Sequence, residues 1–335
     1  MPDPLVVIVQ RQFAADLAAA ETLQMREMAQ RWLTIEHSLQ GSIDLLAADM
    51  AAEKEAGRAV SQAKLYRMQR YQALMGQLQG EVQRYAEWAE RQIEQRQTEL
   101  VSLGVQQATT AIQVSMQAGA VSSFNILDVR AVEAMAALVS EQSPLTRLLK
   151  ASYPDALGGL SDTLLIGTAL GWGPARTAAE MRRGMSMGLN RSLNIARTEQ
   201  LRALRMASSQ QYQESGVVIG HKRIAAKFGS CAACLARDGE MLLVDEPVYD
   251  HPSGRCSSVP IIEGVPAPSW QSGRDWLNEQ PVEYQRKVLG AGRYAACKAG
   301  KFKFDDLATT THHDEWGKGL AVKPLSELVS TEKAA

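Results

Sequence analysis

The sequence predicts a mainly α-helical protein with a small α+β region in its second half. No proline occurs between Pro4 and Pro144, and this stretch is rich in Ala, Leu, Gln, Glu, Met and Arg, which are good helix formers. Further along, Asp238-Gly239 is typical of a tight turn between two strands. Around that turn stand three cysteines and a histidine, namely Cys231, Cys234, His251 and Cys256.

Residues 1–120 are predicted to form long helical arms. Apolar residues recur at helical spacing from Leu23 through Trp32 to Leu46. We expect two or three long helices, arranged as an antiparallel hairpin or bundle with a shorter third arm. The pattern is too irregular for a sustained heptad coiled coil. Bends are expected at the few glycines, which are Gly41, Gly57, Gly76, Gly80 and Gly104.

Residues 121–215 are predicted to form a second helical domain. Pro174 fits the first turn of a helix, and a strong helix is expected from about Leu189 to Gln213. The segment from Arg176 to Lys227 is basic, with ten Lys or Arg residues against three Glu. Such a stripe contacts DNA phosphates or a protein partner, or it is a solvated helix face with acidic neighbours. The candidate contact residues are Arg182, Arg183, Arg202 and Arg205.

Residues 216–265 are predicted to form a zinc-knuckle β-hairpin. The cysteines and the histidine follow the spacing C-x2-C-x16-H-x4-C. With two residues between them, the first two cysteines can direct both sulfurs toward the same point. After the 16-residue segment that follows, the chain supplies an imidazole and a third thiolate. Three sulfurs and one nitrogen suit a tetrahedral Zn²⁺ with no open position, which is typical of a structural site. The predicted ligands are Cys231, Cys234, His251 and Cys256.

Residues 266–335 are predicted to form short C-terminal helices and a tail. Helices are expected around Glu283 to Leu289 and around Ala291 to Ala299. Cys297 is interpreted as a small buried hydrophobic residue. The run from His312 to Glu315 resembles a metal site in composition only, because four consecutive side chains point in different directions.

Composition excludes several classes of protein. The formal net charge of −1 gives no global argument for binding nucleic acid or an anionic membrane. Four cysteines in 335 residues do not make a disulfide scaffold, and the CxxC pair indicates a reducing compartment and a metal. The N-terminus lacks the features of a signal peptide. Leu100 to Leu127 carries no charge but many Gln and Thr residues, which predicts burial within a protein assembly and no stable membrane insertion.

The order of several motifs resembles a known family. IARTEQLRA (195–203), SGVV (215–218), SCAACLARDGE (230–240) and HPSGRCSSVPI (251–261) precede the tail segment 271–302. Together they look like the Mu-F-like head morphogenesis family of tailed phages, the minor head or minor capsid proteins. The resemblance covers roughly 167–328. The family often shows HP-x-C-R-C, whereas Gly254 stands here in place of its first cysteine, and Cys256 remains to supply the fourth ligand.

The resemblance implies a structural, non-enzymatic protein present in few copies. Such a protein associates with the portal protein and other head proteins at the portal vertex, and it acts in head assembly and in DNA packaging or ejection. It would be found in the virion, and in the host cytoplasm during assembly. No catalytic residue carries over from the family pattern. Arg197 and Glu199 match its helix motif, and we expect them to form buried pairs that lock this helix against the knuckle.

Other functional classes remain as alternatives. Related modules occur fused to toxin domains such as ADP-ribosyltransferases, but the tail after the knuckle leaves no room for one. A zinc deaminase needs H-x-E before P-C-x-x-C, whereas His221 is followed by Lys222 and Arg223. A zinc-containing DNA-binding protein would place a recognition helix between its ligand pairs. The intervening residues 236–250 are instead predicted to form strand, turn and strand.

Overall fold

The structure is a computed structural model, and it describes residues 3–58, 62–116, 123–142, 147–148, 162–163, 166–167, 170, 172, 174–314 and 316–330. Helices dominate these residues, as predicted, and the strands form small antiparallel sheets. No helix among them is both long enough and apolar enough to cross a membrane. The helices are α1 (Leu5–Glu55), α2 (Gln62–Arg67), α3 (Gln69–Met116), α4 (Val129–Gln142), α5 (Pro174–Glu214), α6 (Ala232–Ala236), α7 (Gly273–Asn278), α8 (Val282–Leu289), α9 (Ala291–Lys298) and α10 (Leu325–Ser330).

Within the described residues, five short strands form two separate sheets. The strands are β1 (Val218–Ile224), β2 (Met241–Leu243), β3 (Ser257–Ile262), β4 (Ala308–His313) and β5 (Gly317–Val322). The first sheet has the order β2-β1-β3 and is antiparallel throughout, with Lys222 opposite both Met241 and Val259. Strands β4 and β5 form a two-stranded antiparallel hairpin.

The chain divides into two compact units that do not coincide with the four predicted segments. The arm unit consists of Ala20–Gln95 and Ser143–Arg197. The cysteine unit consists of Met1–Ala19, Arg96–Gln142 and Thr198–Ala335. Residues from both ends of the predicted N-terminal arms therefore belong to the unit that carries the cysteines.

In the arm unit, α1 and α3 pair as an antiparallel hairpin. The rings of Trp32 and Tyr85 meet edge to face with centroids 5.0 Å apart, and the Tyr85 hydroxyl donates to the Met28 carbonyl at 3.4 Å. Nearer the turn, Arg70 pairs with Asp49 at 3.0 Å. Both helices continue through Gly41, Gly76 and Gly80, and only Gly57, with a φ of +69°, lies beyond a helix end. The expected bends at the other glycines do not interrupt the helices.

In the cysteine unit, Gly104 marks a close crossing of α3 and α5. A Cβ at this position would lie 2.5 Å from the Leu204 carbonyl oxygen and 2.9 Å from the Ala207 Cβ. The Ser208 hydroxyl donates to the Gly104 carbonyl at 3.0 Å across the same crossing. Gly104 therefore lets two helix backbones approach and is not a bend.

The uncharged stretch after Leu100 is buried inside the cysteine unit itself. Ala108 and Ile112 pack with Tyr212 and with strand residues Val218 and Ile262. Val6, Val7 and Ala111 form a second cluster with Ile224 and Val259. Intramolecular packing therefore accounts for the apolar character of its described residues, which was predicted to reflect burial within an assembly.

The region between the predicted ligands differs from the predicted hairpin. Residues 236–250 contain one strand, β2, and its antiparallel partner is β1, which precedes the first cysteine. Helix α6 occupies the place of the first expected strand, because Ala-Ala-Cys-Leu-Ala consists mainly of good helix formers and packs in a core. Gly239, with a φ of +89°, turns the chain from α6 into β2. The prediction of strand, turn and strand was therefore wrong, while the turn at Asp238-Gly239 is present.

Candidate metal centre

Helix α6 positions the first two cysteines. Cys231 is the N-cap of this helix, and its sulfur accepts a hydrogen bond from the Cys234 backbone N–H at 3.4 Å. Ala232 to Leu235 are buried against Leu277, Leu307, Leu320 and Leu328, which fixes the helix in the unit. One helical turn thus brings both sulfurs to the same side, as the CxxC spacing predicts.

The four predicted ligands meet in two overlapping groups. The ligand atoms of Cys231, Cys234 and His251 lie within 4.8 Å of one another. The ligand atoms of Cys234, Asp250 and Cys256 form a second group, and they also lie within 4.8 Å of one another. Cys234 belongs to both groups, so the segments before and after the long excursion converge on its sulfur. Among the described residues, His312, His313 and Asp314 belong to no such group, and Glu315 lies outside the described residues.

Proton affinities in the cluster favour one thiolate and one imidazolium. A hydrogen bond from the Cys234 thiol, together with His251, lowers the pKa of Cys231 to about 4. The hydrogen bond with Cys231 raises the pKa of His251 to about 9. The pKa of Cys234 is raised, because its thiol is engaged with the sulfurs of Cys231 and Cys256 and is buried. A thiolate is the form of cysteine that binds metal, so Cys231 is prepared for coordination.

The His251 ring has the orientation of a metal-binding histidine. Its Nδ1 lies 2.8 Å from the Pro252 carbonyl oxygen. A carbonyl only accepts, so Nδ1 keeps its proton, and a metal would bind Nε2 after displacing the second proton of the imidazolium. Metal-ligating histidines commonly donate their second ring N–H to a backbone carbonyl in this way. The donor set and this ring orientation fit a divalent, thiolate-preferring metal such as Zn²⁺.

Asp250 organises the loop that carries His251 and Cys256. Its carboxylate accepts hydrogen bonds from the backbone N–H groups of His251 at 2.9 Å and of Cys256 at 3.0 Å. Although burial alone would raise it, the pKa of Asp250 is lowered by the neighbouring guanidinium groups of Arg205 and Arg223. Asp250 is not among the residues that the sequence predicts for this site. The one feature of the sequence that points to Asp250 is its position directly before His251 and Pro252.

The Asp250 carboxylate occupies the space in which a side chain at position 254 would lie. A Cβ on Gly254 would stand 2.2 Å from the Asp250 Cγ. The carboxylate cannot move aside without losing its backbone and guanidinium partners. Glycine at 254 and aspartate at 250 are therefore sterically linked.

We predict that Gly254→Ala destabilises the protein by about 1–3 kcal/mol, the usual cost of overpacking a filled site. Gly76→Ala is the matched control, because a Cβ there meets nothing within 4 Å. The control should stabilise its helix by roughly 0.5–1 kcal/mol. Urea denaturation of both variants measures the difference, and equal effects of the two substitutions would contradict the steric link.

The ARTE helix motif contacts the loop mainly through Thr198. The Thr198 hydroxyl accepts a hydrogen bond from the Ser253 N–H at 2.9 Å. Glu199 is buried and accepts from the Trp316 ring N–H at 2.7 Å and from the Gln97 amide at 3.4 Å. Glu199 thus bonds to the C-terminal hairpin and to α3, and these partners lie outside the knuckle segment 216–265. Arg197 lies in the arm unit, where it is 3.3 Å from Glu21.

The four candidate arginines of the basic stripe have different environments. Arg183 is exposed and pairs with Glu180 at 2.8 Å. Arg202 is also exposed and lies 3.8 Å from Glu199. Arg205 is half-buried, lies 3.5 Å from Asp250 and donates to the Gly254 carbonyl at 2.8 Å, so its guanidinium is engaged within the cysteine unit. The side chain of Arg182 lies outside the described residues.

Two further features complete the surroundings of the cluster. A cavity of about 400 Å³ lies against His251 and is lined by residues that include Arg202, Trp316 and Lys318. Cys297 stands apart from the ligand groups, half-buried and packed against the core around α6.

Comparison with known proteins finds no matching family model, no matching curated protein and no matching solved structure. The resemblance to phage head morphogenesis proteins therefore stays a prediction carried by the motifs and by their placement.

Proposed function

We propose that this chain is a minor head protein of a tailed phage, a structural and non-enzymatic component of the portal vertex. The observation that carries this proposal is the contact between Thr198 and Ser253. It joins the ARTE helix to the HPSGRC loop, and that loop meets the CxxC helix at the Cys234 sulfur. The three motifs on which the family resemblance depends thus form one continuous arrangement.

A structural Zn²⁺ bound by Cys231, Cys234, His251 and Cys256 is part of this proposal. Such a metal supplies folding free energy, because the ligand set does not exist in the unfolded chain. The support is the two ligand groups that share Cys234, the His251 ring orientation and the lowered pKa of Cys231. A site closed by four protein ligands has no position for a substrate, which agrees with a structural role.

The partners in this proposal are the portal protein and other head proteins. Three leucines on α1 in the arm unit are exposed, although this residue type is usually buried: Leu23, Leu33 and Leu45. They offer apolar contacts for assembly. The arms cannot simply be deleted to test this role, because Val6, Val7, Ala108 and Ile112 belong to the cores of the cysteine unit.

The test is incorporation into particles. Phage heads purified from a lysate of the source strain should contain the tagged chain, and crosslinking should connect it to the portal protein. Replacing Leu23, Leu33 and Leu45 with Gln should remove the chain from the heads without changing its melting temperature. The matched control replaces three exposed apolar residues of the first sheet with Gln, namely Ile219, Met241 and Leu243. Heads that never contain the chain would refute the proposed function.

Packaged DNA is a further partner in this proposal, bound without sequence preference. Each unit offers one exposed arginine as a separate phosphate contact, Arg183 in the arm unit and Arg202 in the cysteine unit. Binding should weaken steeply with salt, with a slope of about −0.9 in log K against log salt for each phosphate contacted. Changing both arginines to Gln should flatten that slope, while Arg237→Gln, also at an exposed i,i+3 pair, should not. A gel shift at low salt with no retardation of DNA by the intact protein would remove DNA from the proposal.

A further inference from the structure

Two arginines, the buried Arg223 and the half-buried Arg205, share a single carboxylate next to the cysteine cluster. Arg205 on α5 and Arg223 on β1 lie 3.5 Å and 3.3 Å from the two oxygens of Asp250. The exposed fractions of these side chains are 14% for Arg205, 3% for Arg223 and 0% for Asp250. Within the part of the chain that the structure describes, no second carboxylate pairs with either guanidinium. Two positive charges and one negative charge leave one positive charge in excess.

Buried charge without a partner is costly, so the excess requires a nearby negative group. The remaining polar contacts of the arginines are neutral carbonyls, of Gly254 for Arg205 and of Tyr249 for Arg223. His251 lies 3.8 Å from Asp250 but can only be neutral or positive, so the groups at hand that can supply a negative charge are the thiols. The Cys256 sulfur lies beside the Arg223 guanidinium, and the sulfurs of Cys234 and Cys256 both act electrostatically on Arg205.

A metal centre of the proposed composition has the charge that is missing. Zn²⁺ with three thiolates and a neutral imidazole carries a net charge of −1. Added to Arg205, Arg223 and Asp250, this charge makes the buried group neutral. A centre with two thiolates and a thiol would leave the excess in place, so the arginines favour the three-thiolate form.

Asp250 is itself unsuited to serve as a ligand. Its two oxygens already accept from the backbone N–H groups of His251 and Cys256 and face the two guanidinium groups. The Cys234 thiol also donates to Oδ1 at 3.5 Å, so groups of the protein already engage both oxygens. The carboxylate therefore holds the ligand loop and the arginines in place and leaves the metal to the sulfurs and the imidazole.

We infer that Arg205 and Arg223 are the counter-charges of an anionic three-thiolate metal centre and that Asp250 is the residue that positions them. This inference rests on the proposed metal site. It assigns to the site a preference for divalent metals that bind three thiolates together. It also assigns Arg205 to the centre, although the basic stripe around it suggested an outward contact.

The experiment is a metal titration of the full-length protein and its variants. Each chain is refolded with Co²⁺, whose thiolate-to-cobalt absorption band reports the number of sulfur ligands, and Zn²⁺ affinity is then measured by competition with a chromophoric chelator. Refolding with the metal lets a variant whose metal-free form is unfolded still be compared. Arg205→Gln should lower Zn²⁺ affinity by about 10- to 100-fold, the usual range for residues that support metal ligands. Arg205→Lys, which keeps the charge, and Arg202→Gln, one turn away and exposed, should bind as the wild type does.

A charge-balanced pair of variants separates electrostatics from packing. Arg223→Gln leaves the buried group with one negative charge in excess and should weaken zinc binding. Adding Asp250→Asn restores neutrality, so the double variant should bind zinc more tightly than Arg223→Gln alone, although it has lost more contacts. A double variant that binds more weakly than the single one, or an unchanged affinity in Arg205→Gln, would overturn the inference while the metal site stands. A wild-type chain that binds no Co²⁺ or Zn²⁺ would overturn both.

Discussion

Replacing Cys234 with serine is expected to abolish metal binding and to unfold the cysteine unit at temperatures at which the wild type is stable. The Cys234 sulfur belongs to both ligand groups, and the residue is 1% exposed. A serine hydroxyl does not replace a thiolate as a zinc ligand, and the remaining ligands would stay buried without their metal. The loss of unfolding free energy should reach about 5 kcal/mol or more, because metal-binding energy is folding energy in such a site.

Metal analysis and thermal melts of the purified variant measure both effects. Cys297→Ser is the matched control, because it also replaces a sulfur with an oxygen. Cys297 packs against the same core as Cys234 but belongs to neither ligand group. The control should keep its full metal content and lose little stability. Wild-type protein that is purified with zinc present, yet carries no stoichiometric metal and melts as Cys234→Ser does, would contradict the prediction.

Replacing Asp238 with alanine is expected to cost about 3–5 kcal/mol, the usual result of removing one partner of a buried ion pair. The Asp238 carboxylate is fully buried and pairs with the ammonium group of Lys227. It also accepts hydrogen bonds from the Ala225 N–H at 2.8 Å and from the Trp270 ring N–H at 3.3 Å. Alanine would leave three buried donors without this acceptor, and one of them is charged.

Two controls make the Asp238 prediction specific. Asp238→Asn keeps an acceptor for the neutral donors and should lose less stability than Asp238→Ala. Asp245→Ala removes an exposed carboxylate and should change the unfolding free energy by under about 0.5 kcal/mol. Chemical denaturation at neutral pH compares the three variants. An Asp238→Ala variant as stable as Asp245→Ala would show that the pair contributes nothing to folding.

The long helices were predictable from the sequence because their cause is local. The absence of proline and the dominance of good helix formers act within each segment, and α1, α3 and α5 follow from them. The pairing of the first sheet was not predictable in the same way. Strand β2 has only three residues, and its partner β1 stands before the first cysteine, so no hairpin signal marks the pair. The hairpin of β4 and β5 was missed because its Thr, His and Gly residues lack an apolar alternation.

The ligands were predictable because the CxxC turn brings two sulfurs together through local geometry. The residues around them were not, since their roles depend on contacts across long stretches of chain. Arg205 appeared to belong to an exposed basic stripe, and only the fold places it against Asp250. Thr198 had no recognisable role before its hydroxyl was seen to accept from Ser253.

The cysteine unit is built from three separate segments of the chain, so it cannot fold completely until the third segment has been synthesised. Leu328 is 2% exposed and belongs to the same core as Cys234, so this core is incomplete until the last helix has left the ribosome. At translation rates of about 5–20 residues per second, the CxxC pair emerges roughly 5 to 20 seconds earlier. During that interval its thiols are open to oxidants and to metal ions. Zinc captured by the nascent chain would protect the thiols and hold the ligand loop while the remaining segment is made.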